Sequence, residues 1–592
     1  MPLSRFQGLI VAALAALVLL PNLGGPPLWD DDEPRNAACS LAMRESGDWV
    51  VPTFNGRLRI EKPVLVNWLH LTGFALAGVN ETGARLPSAL LTLATCLLTW
   101  RIGSMLFGTA AGTWAGLALA TCLWTGITGR AATPDAPLAF CTTLALWFFV
   151  RGARLPGVDG FGWRHGPVRL SRGAALGVGA ACGLAVLAKG PVGLVLPVVA
   201  FVGFATWQAN LDPGRGGSRL ARWAAAFRDG CRGTRPFTIA AATLAVAGPW
   251  YAVVTVRTGG EWLSGFLLVH NLGRFSDTME GHSGSGLLYY PLVLLLGMFP
   301  WSMASALVGH HAVRTASSTT GHGDQPGMRL LIAWIAAWVV PFSLSGTKLP
   351  GYVWPAYPAL AGAVGLFLAD WIRRPDAATD GWMRWSWSCL AASGVAIGIG
   401  MPIVARIVAP EAAWLGLVGL VPLCGAACAW SCQSRGSRFT AAAVWAATAC
   451  GTVGLLIAVG PSCLGSAGGT RQLVAQLESC AARGPIHVGS YRAPPSTSFY
   501  AGRLTESGSV TELRTPPQVA AFLAAHPRAH LVVDARFASQ VGKVLPPGHR
   551  VLNAVTSLPS ARRLLLVGPA PDGPDQPLAV ASSGFDESVL LR

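Results

Sequence analysis

The chain is 592 residues long, with 52% hydrophobic residues, only 12% charged residues and a formal net charge of +16. Soluble domains carry about a quarter charged residues, so a chain this poor in charge and rich in apolar runs reads as a polytopic membrane protein. Its basic residues lie in short stretches between apolar runs and form no single basic face, which excludes nucleic acid as the expected partner.

In chain order, apolar runs predict helices near 7–22, 84–102, 107–127, 135–151, 173–189, 191–208, 236–256, 287–309, 328–345, 350–371, 387–408, 412–431 and 439–461. That is about thirteen spans of the length a bilayer requires. The first run follows Arg5 and lacks a small-x-small cleavage site, so it is expected to remain as an uncleaved helix. The stretch 64–80 is apolar but contains Asn67 and His70, and is expected to lie along the membrane interface. After Pro461 the composition changes. Residues 471–483 read as an amphipathic helix, and 486–490, 530–533 and 563–567 as short strands separated by Pro, Gly and polar residues. The expected fold is mainly α: a transmembrane helical bundle over 1–461, with outer catalytic loops at 23–83 and 257–286, and a small extracytoplasmic α/β domain over 462–592.

Loop charge sets the orientation. With the N-terminus inside, the loops 152–172, 209–235, 372–386 and 432–438 are cytoplasmic, and all are rich in arginine. The loops 23–83, 128–134, 257–286 and 346–349 and the segment after 462 then face outward, and they collect the carboxylates, histidines and aromatic clusters. The cysteines show no CxxC spacing and mostly fall inside apolar runs, where they read as small core hydrophobes. Cys463 and Cys480 are candidates for pairing if their segment meets an oxidising compartment.

The outer loops carry five polar elements. The first is Trp29-Asp30-Asp31-Asp32-Glu33-Pro34-Arg35, followed in the same loop by Arg57, Arg59, Glu61, Lys62 and Pro63. Adjacent carboxylates repel one another, so this run is either a solvated acidic loop or a site whose charge is relieved by protons or cations. In Thr133-Pro134-Asp135 a carboxylate starts a helix, as a simple dipole partner or as a site residue. Lys189-Gly190-Pro191 lies between two apolar helices, where the lysine either snorkels or meets an anion. The loop 257–286 holds His270, Asn271, Arg274 and His282 ahead of Tyr289 and Tyr290, residue types that suit phosphate or metal. The turn from Ser345 to Tyr352 brings a cation, Lys348, and a phenol together; Lys348 also suits a cap on the preceding helix.

Asp32-Glu33-x-Arg35, Glu61-Lys62-Pro63, Thr133-Pro134-Asp135, Lys189-Gly190-Pro191, the segment 270–275, His282 before Tyr289-Tyr290, and Lys348-Leu349-Pro350-x-Tyr352 occur in this order over most of 1–370. Together they resemble the C-type superfamily of integral-membrane glycosyltransferases, above all the branch with the bacterial lipid A aminoarabinose transferases and the protein O-mannosyltransferases. The resemblance implies transfer of a sugar from a polyprenyl-phosphate donor to a lipid, protein or glycan acceptor on the outer face of a bacterial inner membrane. It implies Asp32 as the key catalytic carboxylate beside Glu33, with Asp135 as a second acid. Lys62, Arg274, Tyr352 and Lys189 would surround the donor phosphate. In some aminoarabinose transferases a divalent metal, zinc or magnesium, bridges a glutamate, a histidine and the phosphate; Glu61 and His270 are the matching positions. Arg35, Arg59, His282, Tyr289 and Lys348 complete the candidates.

Two features depart from the pattern. Asn36 stands where an aromatic residue often follows the acidic motif, and the step from His270 to Arg274 is one residue longer, so His270 and Asn271 compete for one role. A lipid or sugar transporter is the rival reading, but transporters tend to place ionisable groups near the midplane on broken helices. A non-catalytic membrane scaffold is the third; the retained acidic, lysine and tyrosine positions argue against it.

Overall fold

The computed structural model describes residues 2–29, 31–154, 168–211, 217–273, 286–318, 324–374, 376–408, 410–466, 470–482, 486–505, 509–557 and 562–569. The protein is a multi-span, mainly α-helical membrane protein with a small C-terminal sheet. Among the described residues, nine helices are long and apolar enough to cross a membrane, or up to 10 if Tyr289–Gly297 and Trp301–Ser317, bent by 115°, form one span. By this measure the expected count of about thirteen is not reached. The other three runs are helical but shorter, broken or bounded by charge. The first has an apolar stretch only over Phe6–Leu19. The run 107–127 breaks between the helices Thr109–Ala120 and Leu123–Thr128, where Thr121 Oγ1 accepts the Trp301 indole N–H at 2.9 Å. The helix Asp135–Gly152 carries Asp135 in its first turn and Arg151 in its last.

The chain divides into two compact units. The first comprises Met1–Leu23, Ile60–Leu65 and Ser88–Gly460. Small residues let its helices approach closely, as membrane bundles require. A Cβ added to Gly112 would lie 2.5 Å from the Trp100 carbonyl oxygen, and one on Gly365 would lie 2.3 Å from that of Ala111. Aromatic rings fill the wider gaps: Phe149 stacks on Phe201 at 4.1 Å, and Phe201 meets Trp334 at 5.6 Å. The buried Arg329 donates to Gln208 Oε1 at 2.8 Å and to the Ala316 carbonyl at 2.8 Å, so its charge is not left bare.

The second unit comprises Gly24–Arg59, Val66–Pro87 and Pro461–Arg592. Its sheet runs in the order Thr511–Leu513, Val488–Tyr491, His530–Asp534, Arg562–Pro569, His549–Ser557; the first three strands are parallel and the last two antiparallel to their neighbours. Side chains alternate between two cores. Leu531, Val533, Leu565 and Val567 pack with Val519 and Leu523 on one face, while Val532, Leu564 and Leu566 pack with Leu473 and Leu477 on the other. The expected amphipathic helix is Thr470–Ala481, and it supplies Leu473 and Leu477. Two strands were not legible in the sequence: Thr511–Leu513 is only three residues long, and a bulge between Val551 and Asn553 breaks the alternation of His549–Ser557. Among the described residues no disulfide joins Cys463 to Cys480.

The helix Leu65–Ala77 buries Asn67 and His70. Asn67 donates to Ser40 Oγ at 3.1 Å, and His70 Nδ1 lies 3.1 Å from the same hydroxyl, which ties this helix to the helix Asp32–Ser46 within the second unit.

Candidate active site

In the first unit, Glu61, Lys62, Lys189, His270, Ser345 and Tyr352 line one open cavity of about 120 Å³ together with Leu138, Val192, Phe266, Trp338 and Phe342. Polar groups from distant segments thus converge on one apolar-walled hollow. Lys189 is the last residue of the helix Arg172–Lys189, and Asp135 the first of the helix Asp135–Gly152. Each charge sits at the helix end whose dipole favours it. The two then pair: Lys189 Nζ donates to Asp135 Oδ1, and Thr133 Oγ1 donates to Asp135 Oδ2 at 3.3 Å. Lys189 Nζ also lies 5.0 Å from the Tyr352 ring centroid, within cation–π range.

Two glycines permit this arrangement. Gly190 follows the lysine with φ +88, a conformation that side chains resist, and turns the chain into the next helix. Gly351 rides over the carboxylate, where an added Cβ would come 3.1 Å from Asp135 Oδ2. The neighbouring turn is held by Lys348, whose Nζ donates to the Ser345 carbonyl at 3.0 Å, and by Tyr290, whose hydroxyl donates to the Leu349 carbonyl at 3.2 Å. Lys348 thus hydrogen-bonds the residue that follows the helix Gln325–Leu344. Tyr289 packs edge-on against Tyr290 at 5.0 Å.

His270 lies in a π-helical segment, Gly265–Gly273. Such wide turns are uncommon and frequently found at functional sites. Gly265 leaves room for Ile60, whose Cδ1 would be 2.7 Å from an added Cβ, so the segment bearing Glu61 and Lys62 lies directly against the π-helix. Phe266 stacks on Trp262 at 4.7 Å and extends an aromatic group that includes Trp250 and Tyr251. Arg274 and His282, like Asp30, lie outside the described residues. Among the described residues no group of three or more His, Cys, Asp or Glu gathers as a metal-binding set.

The acidic run belongs to the second unit. Asp32 is exposed at the first position of the helix Asp32–Ser46. Glu33 is different: it is 4% exposed and held in a fork by Arg85, whose Nε donates to Oε1 at 2.9 Å and Nη2 to Oε2 at 2.6 Å. Both carboxylate oxygens are thus engaged, so Glu33, grouped in the sequence with the catalytic acids, is here a buried ion-pair partner. Arg59 is also buried; its Nη2 donates to Asn36 Oδ1 at 2.6 Å and its Nη1 to the carbonyl of the half-buried Arg35 at 3.2 Å. Asn36, the departure from the family pattern, is what receives Arg59. Arg85 itself was missed. Its signal was present, because an arginine inside an otherwise apolar helix demands a buried partner.

Residues 61–212 match the family model described as dolichyl-phosphate-mannose-protein mannosyltransferase, a match that begins at Glu61 and includes Lys62, Asp135 and Lys189. The crystal structure of ArnT from Cupriavidus metallidurans bound to undecaprenyl phosphate superposes with a TM-score of 0.73 at 22% identity, covering 96% of this chain and 99% of that one. The chain shares the fold of that enzyme. In sequence it is similar to the undecaprenyl phosphate-alpha-4-amino-4-deoxy-L-arabinose arabinosyl transferase of Edwardsiella ictaluri, 28% identical over 365 residues, and to that of Pseudomonas paraeruginosa, 31% identical over 379 residues. Each match covers 62% of this chain, and the chain spans 59% and 60% of the length of these curated relatives.

Proposed function

We propose that the protein is a glycosyltransferase that takes a sugar from a polyprenyl-phosphate donor, on the outer face of a bacterial inner membrane, and transfers it to an envelope lipid, protein or glycan. The observation that carries this reading is the cavity at which Glu61, Lys62, Lys189, His270 and Tyr352 meet against apolar walls. A donor with an anionic head and a hydrocarbon tail asks for that combination. The names of the relatives, which specify undecaprenyl phosphate and an arabinosyl group, support it.

In this reading Lys62 and Lys189 face the donor phosphate, Arg274, which lies outside the described residues, is assigned to the same phosphate by the resemblance alone, and Tyr352 contributes its hydroxyl. The phosphate leaves as an anion, so fixed cations stabilise the transition state more than the ground state. Asp135 keeps Lys189 aimed. Asp32 is the carboxylate that receives the acceptor proton, help typically worth about 10²–10⁴-fold. Glu61 and His270 line the same cavity and would supply an oxygen and a nitrogen ligand to a divalent cation. A cation held there would supply further charge neutralisation.

The test is transfer by the purified full chain supplied with polyprenyl-phosphate sugars, comparing wild type with Asp32→Asn. Donor consumption by the wild type and its loss in the variant are expected. A wild type that neither binds nor consumes any such donor would end the proposal, and a fully active variant would end the role of Asp32.

A further inference from the structure

We propose that Tyr500, in the C-terminal segment, is a positioning residue that fixes the catalytic acidic run through Glu81, Arg85 and Glu33. This rests on the reading of Asp32 as the catalytic carboxylate. The helix Pro495–Gly502 and the helix Asp32–Ser46 belong to one compact unit, and Tyr500 is 2% exposed within it. Its hydroxyl accepts from the Leu28 amide at 2.8 Å and donates to Glu81 Oε1 at 3.1 Å. Burial, reinforced by the charge of Glu81, pushes the phenol above its ordinary range, so the hydroxyl keeps the proton it donates.

One helical turn beyond Glu81, Arg85 spends its donors on the same short stretch of chain. Besides the fork to Glu33, Nη1 donates to the Pro26 carbonyl and Nη2 to the Pro27 carbonyl, both at 2.8 Å. Glu33 Oε2 accepts in addition from the Trp29 amide at 2.7 Å. The chain is therefore pinned on both sides of the acidic run, at 26–29 and at 33, while Asp31 and Asp32 between them stay exposed. Asp31 has φ 76 and ψ −75, a region that a residue with a side chain rarely adopts. Such a conformation persists only where the surroundings over-determine it, and the clamp does that. Arg503 Nη1, donating to the Val79 carbonyl at 3.1 Å, and Phe499, stacked on Phe74 at 6.4 Å, seat the tyrosine's helix against the same segment.

The experiment compares full-length Tyr500→Phe, Glu81→Ala, Glu81→Gln and Asp32→Asn in the transfer assay, with melting temperatures taken alongside. Tyr500→Phe keeps the ring but loses both hydrogen bonds. It is expected to lower kcat by about 10–100-fold, the effect of a misplaced catalytic group, with KM for the donor and the melting point little changed. Glu81→Ala should behave likewise, and Glu81→Gln, which still accepts from the phenol, should restore most of kcat. Wild-type kcat in Tyr500→Phe, or a loss matched by KM or by melting, overturns the positioning role. If Tyr500→Phe does not fold, the contrast between the two Glu81 variants decides. Full activity in Asp32→Asn overturns the reading of Asp32 instead, so the two failures are distinguishable.

We also infer that the helix Arg219–Thr234 lies on a membrane surface and binds anionic phospholipid head groups. One of its faces packs within the bundle: Ala226 is 0% exposed, and a Cβ on Gly230 would be 2.7 Å from Thr206 Oγ1. Leu220, Trp223 and Phe227 form an adjoining stripe, 82%, 43% and 57% exposed. The exposed Arg219, Arg222, Arg228 and Arg232 flank it, against the single acid Asp229. An apolar stripe edged by arginines complements an anionic interface, and this helix sits in an arginine-rich loop expected on the cytoplasmic side.

The probe is the full chain in nanodiscs of phosphatidylcholine with and without phosphatidylglycerol, with retained lipid counted by native mass spectrometry. Preferential, salt-sensitive retention of phosphatidylglycerol is expected, falling by about tenfold or more in R222Q/R228Q/R232Q. Equal retention of the two lipids, or an unchanged preference in the triple variant, overturns the inference.

Discussion

Lys189 donates from Nζ to Asp135 Oδ1, joining the last residue of one helix to the first residue of another across 54 positions of sequence. The side chains are 12% and 18% exposed, so neither charge is well solvated without the other. Residues that act as a unit are not additive. Asp135→Asn and Lys189→Met are each expected to reduce sugar transfer by about 10²-fold or more, and the double variant should cost little beyond the worse single one. Steady-state kinetics on the four proteins check this; a strictly additive double variant would mean that the pair does not work as a unit.

The glycines flanking this pair carry a second expectation. Gly190→Ala places a side chain at φ +88, a backbone penalty of roughly 1 kcal/mol or more. Gly351→Ala crowds Asp135 Oδ2 from 3.1 Å. Both variants should retain the fold and lose activity, with Gly351→Ala raising KM for the donor because the Pro350-Gly351-Tyr352 turn lifts away from the cavity. The check is donor titration beside circular dichroism.

Arg85 and Glu33 are 6% and 4% exposed, and removing one member of such a pair strands the other's charge in a low-dielectric setting. Arg85→Met is expected to destabilise the second unit by about 3–5 kcal/mol. The combination with Glu33→Leu should recover part of that loss. Thermal unfolding in detergent reads both, and the recovery separates a stranded charge from simple loss of packing.

Glu61 and His270 front one cavity, and a cation between them would make activity sensitive to its removal. Chelation followed by zinc or magnesium titration should lower and then restore donor binding in the wild type. The same treatment should leave Glu61→Ala unchanged. If chelation has no effect on wild-type binding, Glu61 and His270 act without a metal.

The sheet domain should weaken in acid. Burial, followed by the nearby His549, lowers the pKa of His530 from 6.5, and burial also lowers that of His549. A folded pKa below the unfolded one means that the unfolded chain binds more protons as pH falls. Stability is therefore full above about pH 6.5 and declines below it. The melting temperature of this unit should drop between pH 7.5 and pH 5, and His530→Gln should flatten the slope. An unchanged slope in that variant would assign the effect elsewhere.

Much of the molecule was legible from local sequence, because membrane helices announce themselves by length and apolarity. Every apolar run is helical, and Asp135 and Lys189 stand at helix ends because Pro134 and Gly190 punctuate the chain there. What the sequence could not specify was partnership. It left Lys189 between snorkelling and anion binding, and only packing of separate helices brought Asp135 and the Tyr352 ring to it. It grouped Glu33 with Asp32 because they are adjacent, yet one helical step turns the first into the interior against Arg85 and leaves the second exposed. Nor could it tie Tyr500 to Leu28 across 472 residues. Helix formation and membrane partition are decided by neighbours in the chain, so sequence alone determined the membrane-spanning, helical character. Ion pairs and hydrogen bonds act over a few ångströms between residues as much as hundreds apart in sequence, so which charges are spent on structure and which stay open for chemistry was decided only by the tertiary fold.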